Sequence, residues 1–284
     1  MSATDRLAAH GLTTTVEEVE AEAPQALKRE RGGWERWLGL FLPVALLLLW
    51  EIAARAGWLT QLFFPAPSAV IRTFLRLMAS GELPRHLTIS LQRITFGFLA
   101  GAVPGLIFGL TMGWIRPVRL LLDPLVGALY PVPRLALFPL IMMIFGLGEA
   151  SKIVIIAIGV FFPTLINAMA GVRAIHEVHF EVARAYGARP GSIFTRVVLP
   201  GSLPLIFTGL RLSLTISLLL VIGVEFISAR TGLGAFLWLA WETFRTEHVY
   251  VGMLVAAVLG AGITAVLRVA EHWLLPWSEG LFHR

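Results

Sequence analysis

Cysteine is absent from the 284 residues, which excludes disulfides, cysteine-ligated zinc and thiol catalysis. Lysine occurs only at Lys28 and Lys152, and neither follows a glycine, so the GxxxxGK[ST] phosphate loop of an ATPase is missing. Charge is scarce: Asp, Glu, Lys and Arg make up 14% of the chain, against about a quarter in soluble domains. No GxSxG nucleophile motif occurs. HEVH at 176–179 lacks the HExxH spacing of a metalloprotease. GAGITA at 260–265 matches a dinucleotide pattern only superficially, because it lies inside a long apolar run and follows no strand. The opening MSATDRLAAHG holds no apolar core of a signal peptide, so a cleaved leader is not expected.

What the chain has in excess is apolar surface. Hydrophobic residues make up 57% and the mean hydropathy is +0.78. That surface needs a non-aqueous solvent, and a spanning helix needs about 20 apolar residues. The sequence offers roughly six such stretches, so the expected fold is all-α, a polytopic membrane helix bundle with little room for a soluble domain. The formal charge of +5 is carried almost entirely by arginines scattered between apolar runs. That is the pattern of membrane-flanking residues, not of one basic face for nucleic acid.

Along the chain, residues 1–33 read as a polar cytoplasmic tail of mixed charge. A first span follows within 34–58, where Glu51 and Arg55 stand four apart and can pair on one helix face. Residues 59–86 read as a periplasmic amphipathic segment: Pro65 and Pro67 break the chain, Ser68 is a plausible N-cap, and Ala69, Phe74, Leu75 and Met78 form an apolar face. The transmembrane core spans 87–272, with spans expected near Leu91–Trp114, Val118–Leu147, Lys152–Ala170, Leu203–Ile227 and Val249–Val269. A short C-terminal cytoplasmic tail, 273–284, closes the sequence. Arginine bias favours both termini inside, with Arg116, Arg119, Arg173, Arg184, Arg189 and Arg196 on the inner loops against Arg72, Arg76 and Arg85 outside.

Two spans carry unusual punctuation. Gly97, Gly101, Gly105, Gly109 and Gly113 recur every fourth residue, making a stripe along which a second backbone can approach. The region Val118–Leu147 is interrupted by Pro124, Pro131, Pro133 and Pro139. Irregular backbone at membrane depth is tolerated only inside protein or beside a water-filled path, so Tyr130, Pro131, Arg134 and Phe138 are candidate pathway residues. Ionisable groups in membrane segments invite a functional reading. Asp123, Arg134, Arg211 and Glu225 are the candidates; Arg134 is placed to attract an anion, to pair with Asp123 or Glu225, or to snorkel to an interface, and Glu225 to act as ligand, packing or gating partner.

The most specific stretch is the polar island 177–200. Glu177 and Glu181 put negative charge early in a short helix, where its dipole favours it. Ala183 and Ala185 keep the surface low, Gly187 suits a left-handed helix end, and Pro190 suits the start of the next helix. Ile193, Phe194, Val197 and Val198 can bury, and Pro200 is expected to end the element. Glu181, Ala183, Gly187, Val197, Leu199 and Pro200 stand at the spacing of the EAA loop, and the chain resembles the permease subunits of ABC importers of the aliphatic sulfonate, taurine and nitrate group. LTISLQRITFGFLAG at 87–101, LYPVPRLALFPLIMMIFGLGEASK at 129–152 and GVFFPTLINAMAGVRAI at 159–175 carry the same resemblance, which covers about 60–272. The second triplet position is Val182 instead of alanine.

The resemblance implies a pore subunit of the bacterial inner membrane, not an enzyme, with a permease core and a cytoplasmic coupling helix. It implies a second permease copy, two cytoplasmic ATPase subunits that bind ATP and Mg, and a periplasmic or lipid-anchored substrate-binding protein. The chain itself would bind no cofactor or metal. Its cargo would be a small, sulfonate-, taurine- or nitrate-like solute, expected to be anionic. The rival reading is a self-sufficient secondary transporter, which usually needs its own coupling-ion site and often an inverted repeat. No convincing repeat is visible.

Overall fold

The computed structural model describes residues 33–275. The tail expected over 1–33, apart from its last residue, and the part of the C-terminal tail beyond 275 lie outside the described residues. The chain divides into two units, 1–59 and 60–284. The first contains α1 (Gly33–Arg55), 23 residues with Pro43 inside. At 1.5 Å per residue it reaches about 35 Å, enough for a bilayer core of about 30 Å. Glu51 and Arg55 pair at 2.5 Å, as their spacing predicts.

The second unit is helical throughout its described residues. α2 (Pro67–Ala79) opens the unit. Its N-cap is Ala66, with no side-chain cap bond. Pro67 takes the first helical turn, where its missing N–H costs nothing, and this moves the cap away from the expected Ser68. The inward stripe is Val70, Thr73 and Leu77, while Leu75 and Met78 are exposed. Thr73 turns inward and donates to Glu247 at 2.8 Å.

α3 (Glu82–Trp114) begins nine residues before the expected Leu91, directly after Gly81 at φ 76°. Then come α4 (Arg116–Leu129), a 3-10 turn (Arg134–Leu137) and α5 (Phe138–Phe145). The two arms of this third span meet at 86°, as the proline-rich sequence predicts. α6 (Glu149–Arg173) follows, then α7 (Glu177–Ala185), α8 (Pro190–Ile193), a π-helical turn (Phe194–Val198) and α9 (Leu199–Ser228). α10 (Leu233–Glu242) and α11 (Thr246–Leu274) complete the unit. Four of its helical stretches are long and apolar enough to cross a bilayer, five if the bent pair counts as one. α1, the first of the six stretches expected, is not among these.

Between helices in lipid, apolar burial supplies little drive, so close backbone packing must hold the bundle. The glycine stripe of α3 faces α6. A Cβ on Gly105 would stand 2.8 Å from the Phe161 carbonyl oxygen, and one on Gly109 would stand 2.5 Å from that of Leu165. Gly101 meets the Ala157 carbonyl in the same way. Three glycines four residues apart thus lie on three carbonyls four residues apart. Gly97 meets Ile156 and Gly113 meets Val172, so α3 and α6 run parallel.

α9 returns antiparallel to α6, with Gly159 against Leu220 and Gly171 against Ser202. Thr164 and Ser213 join these helices at 2.8 Å. The main core, including Ile94, Phe138, Ile155, Val160 and Val221, forms where α3, α5, α6 and α9 meet. The C-terminal ends of α3 and α6 and the N-terminal end of α9 therefore share one end of the bundle. The start of α6 and the end of α9 share the other.

Candidate coupling site and polar core

At the first of these ends stands the helical corner 177–200. His176 caps α7, its Nδ1 accepting from the Val178 amide at 3.4 Å. Glu177 lies in the first turn and Arg184 in the last, each complementing the helix dipole. The end of α7 is a Schellman motif: the Ala188 amide donates to the Ala183 carbonyl at 3.0 Å and Gly187 to Arg184 at 2.9 Å. Gly187 takes φ +73°, with open space where a Cβ would stand, so the residue is required by the backbone and not by a neighbour. Pro190 then starts α8.

The corner is seated by its inner side. Ile193 and Val198 are buried with Val172 of α6, and Leu110, Trp114, Phe180 and Ala183 pack around them. The Trp114 ring lies 6.0 Å from those of both Phe180 and Phe194. Pro200 does not end the element, contrary to expectation. The π-helical turn leads into α9, and residues 190–228 form one helical stretch of 39 residues. Pro200 falls in the first turn of α9, where the widened π turn accommodates a residue without an N–H.

The outer side of the corner is open. Glu181 and Gly187 are exposed, Val178 and Val182 are about half exposed, and Tyr186 is 88% exposed. Ala183, Val197 and Pro200 line a cleft of about 420 Å³ together with His179, Val182 and Arg196. Leu199 lies beside it, 37% exposed. Of the six residues singled out from the sequence, three share this cleft and the others flank it.

The opposite end holds a buried ionic cluster that sequence reasoning missed. Arg93 of α3 is 3% exposed. Its Nε and Nη2 donate to Glu149 at 2.6 and 2.7 Å. Its Nη1 donates to Glu225 at 2.7 Å and to the Thr231 carbonyl at 2.6 Å. Glu225, fully buried, also accepts from Ser90 at 2.8 Å and from the Gly234 amide at 2.8 Å. Lys152 donates to Glu149 at 3.4 Å and to the Gly148 carbonyl at 3.1 Å. Two cations meet two carboxylates, so the cluster is neutral and its buried groups are hydrogen-bonded, as low-dielectric surroundings demand. Gly232 and Gly234 give the room: a Cβ at either would strike Glu225. The signal available in the sequence was an arginine within an apolar run four residues before the first glycine of the stripe.

Glu225 is therefore a structural hub joining α9 to α3. Arg134 pairs with neither Asp123 nor Glu225, because Arg93 already occupies Glu225 and Asp123 is exposed. Instead Arg134 donates to the Tyr130 carbonyl at 3.2 Å, with its guanidinium 5.2 Å from the Tyr130 ring centroid. Phe138 is fully buried in the main core. Tyr130 and Pro131 are exposed and Arg134 is half-buried, so these three, and not Phe138 or Glu225, stand at open space. Arg211 pairs with Glu271 of α11. Among the described residues no group of three or more His, Asp or Glu side chains is arranged to hold a metal.

Residues 94–279 match the family model described as "Binding-protein-dependent transport system inner membrane component". The chain is 37% identical over 251 residues to the putative aliphatic sulfonates transport permease protein SsuC of Bacillus subtilis (strain 168), covering 88% of this chain and 90% of the relative. It is 40% identical over 238 residues to the protein of the same description from Escherichia coli (strain K12), covering 84% and 90%. To the taurine transport system permease protein TauC of Escherichia coli (strain K12) it is 35% identical over 237 residues, covering 82% and 86%. The chain belongs to the binding-protein-dependent inner membrane components: it is the multi-pass, non-catalytic permease subunit of an ABC importer.

Proposed function

We propose that this permease moves a small organic or inorganic anion inward, and that the corner 177–200 is the handle by which a separate ATPase drives it. The observation that carries this reading is the corner itself. It is closed by a Schellman motif and seated on α3 and α6, and it presents Glu181, Val182 and Tyr186 outward beside an open cleft. A rigid body fixed to three spanning helices transmits a push, whereas a loose loop would absorb it. Glu181, Ala183 and Gly187 are the coupling residues, with Val197, Leu199 and Pro200 forming the root through which motion enters α9.

The end bearing the corner faces the cytoplasm. Arg116, Arg119, Arg173, Arg184, Arg189 and Arg196 lie at or beside that end, which accords with the excess of positive charge on inner loops. Both termini are then inside. A second copy of the chain completes the pore, two ATPase subunits each receive one corner, and an external binding protein delivers the cargo. Tyr130, Pro131 and Arg134, at the break in the third span, line the pathway, and the arginine supplies its preference for anions. The relatives named for aliphatic sulfonates and taurine support a cargo of the sulfonate class.

The test is co-purification from native membranes. The tagged wild-type chain retains an ATPase through washing, and Glu181→Lys or Ala183→Arg loses it while the permease remains in the membrane at normal level. Undiminished retention in both variants overturns the assignment of the corner.

A further inference from the structure

The helix α7 has two faces of opposite character. Glu177 and Glu181, four apart, form an exposed acidic ridge on one. His179, Val182 and Ala183, three and four apart, share the other and line the cleft of about 420 Å³. Across the cleft stand Arg196 and Val197 of the π-helical turn and Pro200 of α9.

This cleft has carbon walls and cationic lips. Its ionisable lining residues are Arg196 and His179, both exposed, and no carboxylate lines it. Among the described residues Arg196 makes no ion pair and no side-chain hydrogen bond, so its planar fork of donors is open to an acceptor with two oxygens. A helix about 10–12 Å across is too wide for a hollow of this size; one or two side chains are not.

We infer that the cleft receives an Asp or Glu side chain of the ATPase subunit together with an apolar neighbour, and that Arg196 grips the carboxylate. The neighbour buries its surface against Val182, Ala183 and Val197, in proportion to its area. The acidic ridge on the far face of α7 calls for cations on the same partner, so the two lips of the partner carry opposite charge. A corner docked the wrong way round would set like charges together, which selects one orientation. The seated side chain touches α7 and the root of α9 at once. A ridge contact alone can push the corner; a side chain held in the cleft can also draw it back.

The inference rests on the proposal that the corner is the ATPase handle. It is tested on the complex of the tagged permease with its retained ATPase, recognised by its phosphate-loop sequence, and it exploits the scarcity of lysine. Lys28 and Lys152 are the only lysines, and Lys152 is buried at the opposite end of the bundle. Arg196→Lys therefore puts one amine at the cleft and keeps its charge. A water-soluble carbodiimide joins such an amine to a carboxylate in contact with it, forming an amide as the reagent takes up the water lost. Peptide mapping is expected to find position 196 joined to an Asp or Glu of the ATPase. Arg196→Glu is expected to lower ATPase retention at least about tenfold, with the permease at normal level in the membrane. Should Arg196→Glu fail to reach the membrane, the cross-link decides alone. A retained ATPase with no cross-link from position 196, or with one only to Glu177 or Glu181 of this chain, overturns the cleft assignment and leaves the handle standing. Unchanged retention in Arg196→Glu does the same. Undiminished retention in both Glu181→Lys and Ala183→Arg instead removes the handle, and the cleft assignment with it.

Discussion

Arg93 and Glu225 meet at 2.7 Å with both side chains shut off from the surface, 3% and 0% exposed. The contact joins α3 to α9 at the end of the bundle opposite the coupling corner. The same guanidinium reaches α6 through Glu149, so one side chain fastens three spanning helices.

Replacing Arg93 by alanine leaves Glu225 buried without its cation. A loss of about 3–5 kcal/mol is expected, the range for breaking one side of a buried pair. Thermal unfolding of the detergent-solubilised chain reads it. Glu149→Gln is expected to cost much less, because the Glu149 carboxylate is 58% exposed and water can replace part of the interaction.

The glycine stripe predicts a graded response along α3. Gly105→Leu forces α3 away from the Phe161 carbonyl and should cost about 1–3 kcal/mol, as overpacking does. A Cβ added to Gly127 of α4 would meet nothing within 4 Å, so Gly127→Ala should be neutral or slightly stabilising. Melting temperatures of the two variants, measured side by side, separate seam from spacer.

At Gly187 the expected defect is one of backbone and not of contact. Gly187→Ala places a Cβ in open space but at φ +73°, a left-handed conformation that costs an L-residue about 1–2 kcal/mol. The corner is expected to loosen, lowering ATPase retention while the melting temperature of the membrane core holds. Gly187→Asn, which tolerates the left-handed region better, should recover part of the retention.

Tyr186 gives the complementary case. It is 88% exposed and contributes its backbone, not its ring, to the end of α7. Tyr186→Ala should leave the melting temperature unchanged and weaken retention of the ATPase by about tenfold, as removal of an aromatic anchor from an interface does. Unchanged retention places the docking face elsewhere on the corner.

Much of this arrangement was legible in the sequence because it depends on local or periodic rules. Glycines four apart make a stripe on any α-helix, Pro131 and Pro133 fall at the break of the third span while Pro124 stays inside α4 and Pro139 in the first turn of α5, and Gly187 followed by Pro190 writes the end of one helix and the start of the next. Ser68 and Pro200 show where local rules compete. Pro67 claimed the first helical turn and displaced the cap to Ala66, and a π-helical turn carried the chain past Pro200 into α9. Pro67 does open a helix, but Pro200 stands inside a continuous helical stretch and marks no end of it.

By itself, the sequence determined that this protein lives in a membrane, that these residues contain no phosphate-loop motif, and that it carries a capped corner between two spans. Periodicity and steric rules act within a few residues and survive being read along a line. Partner choice does not. That Arg93 binds Glu225, 132 residues away, and that Phe138 is buried in the core were decided only when parallel α3 and α6 closed on antiparallel α9. A charge in low dielectric takes whichever opposite charge the packing brings within reach, and that distance exists only in three dimensions.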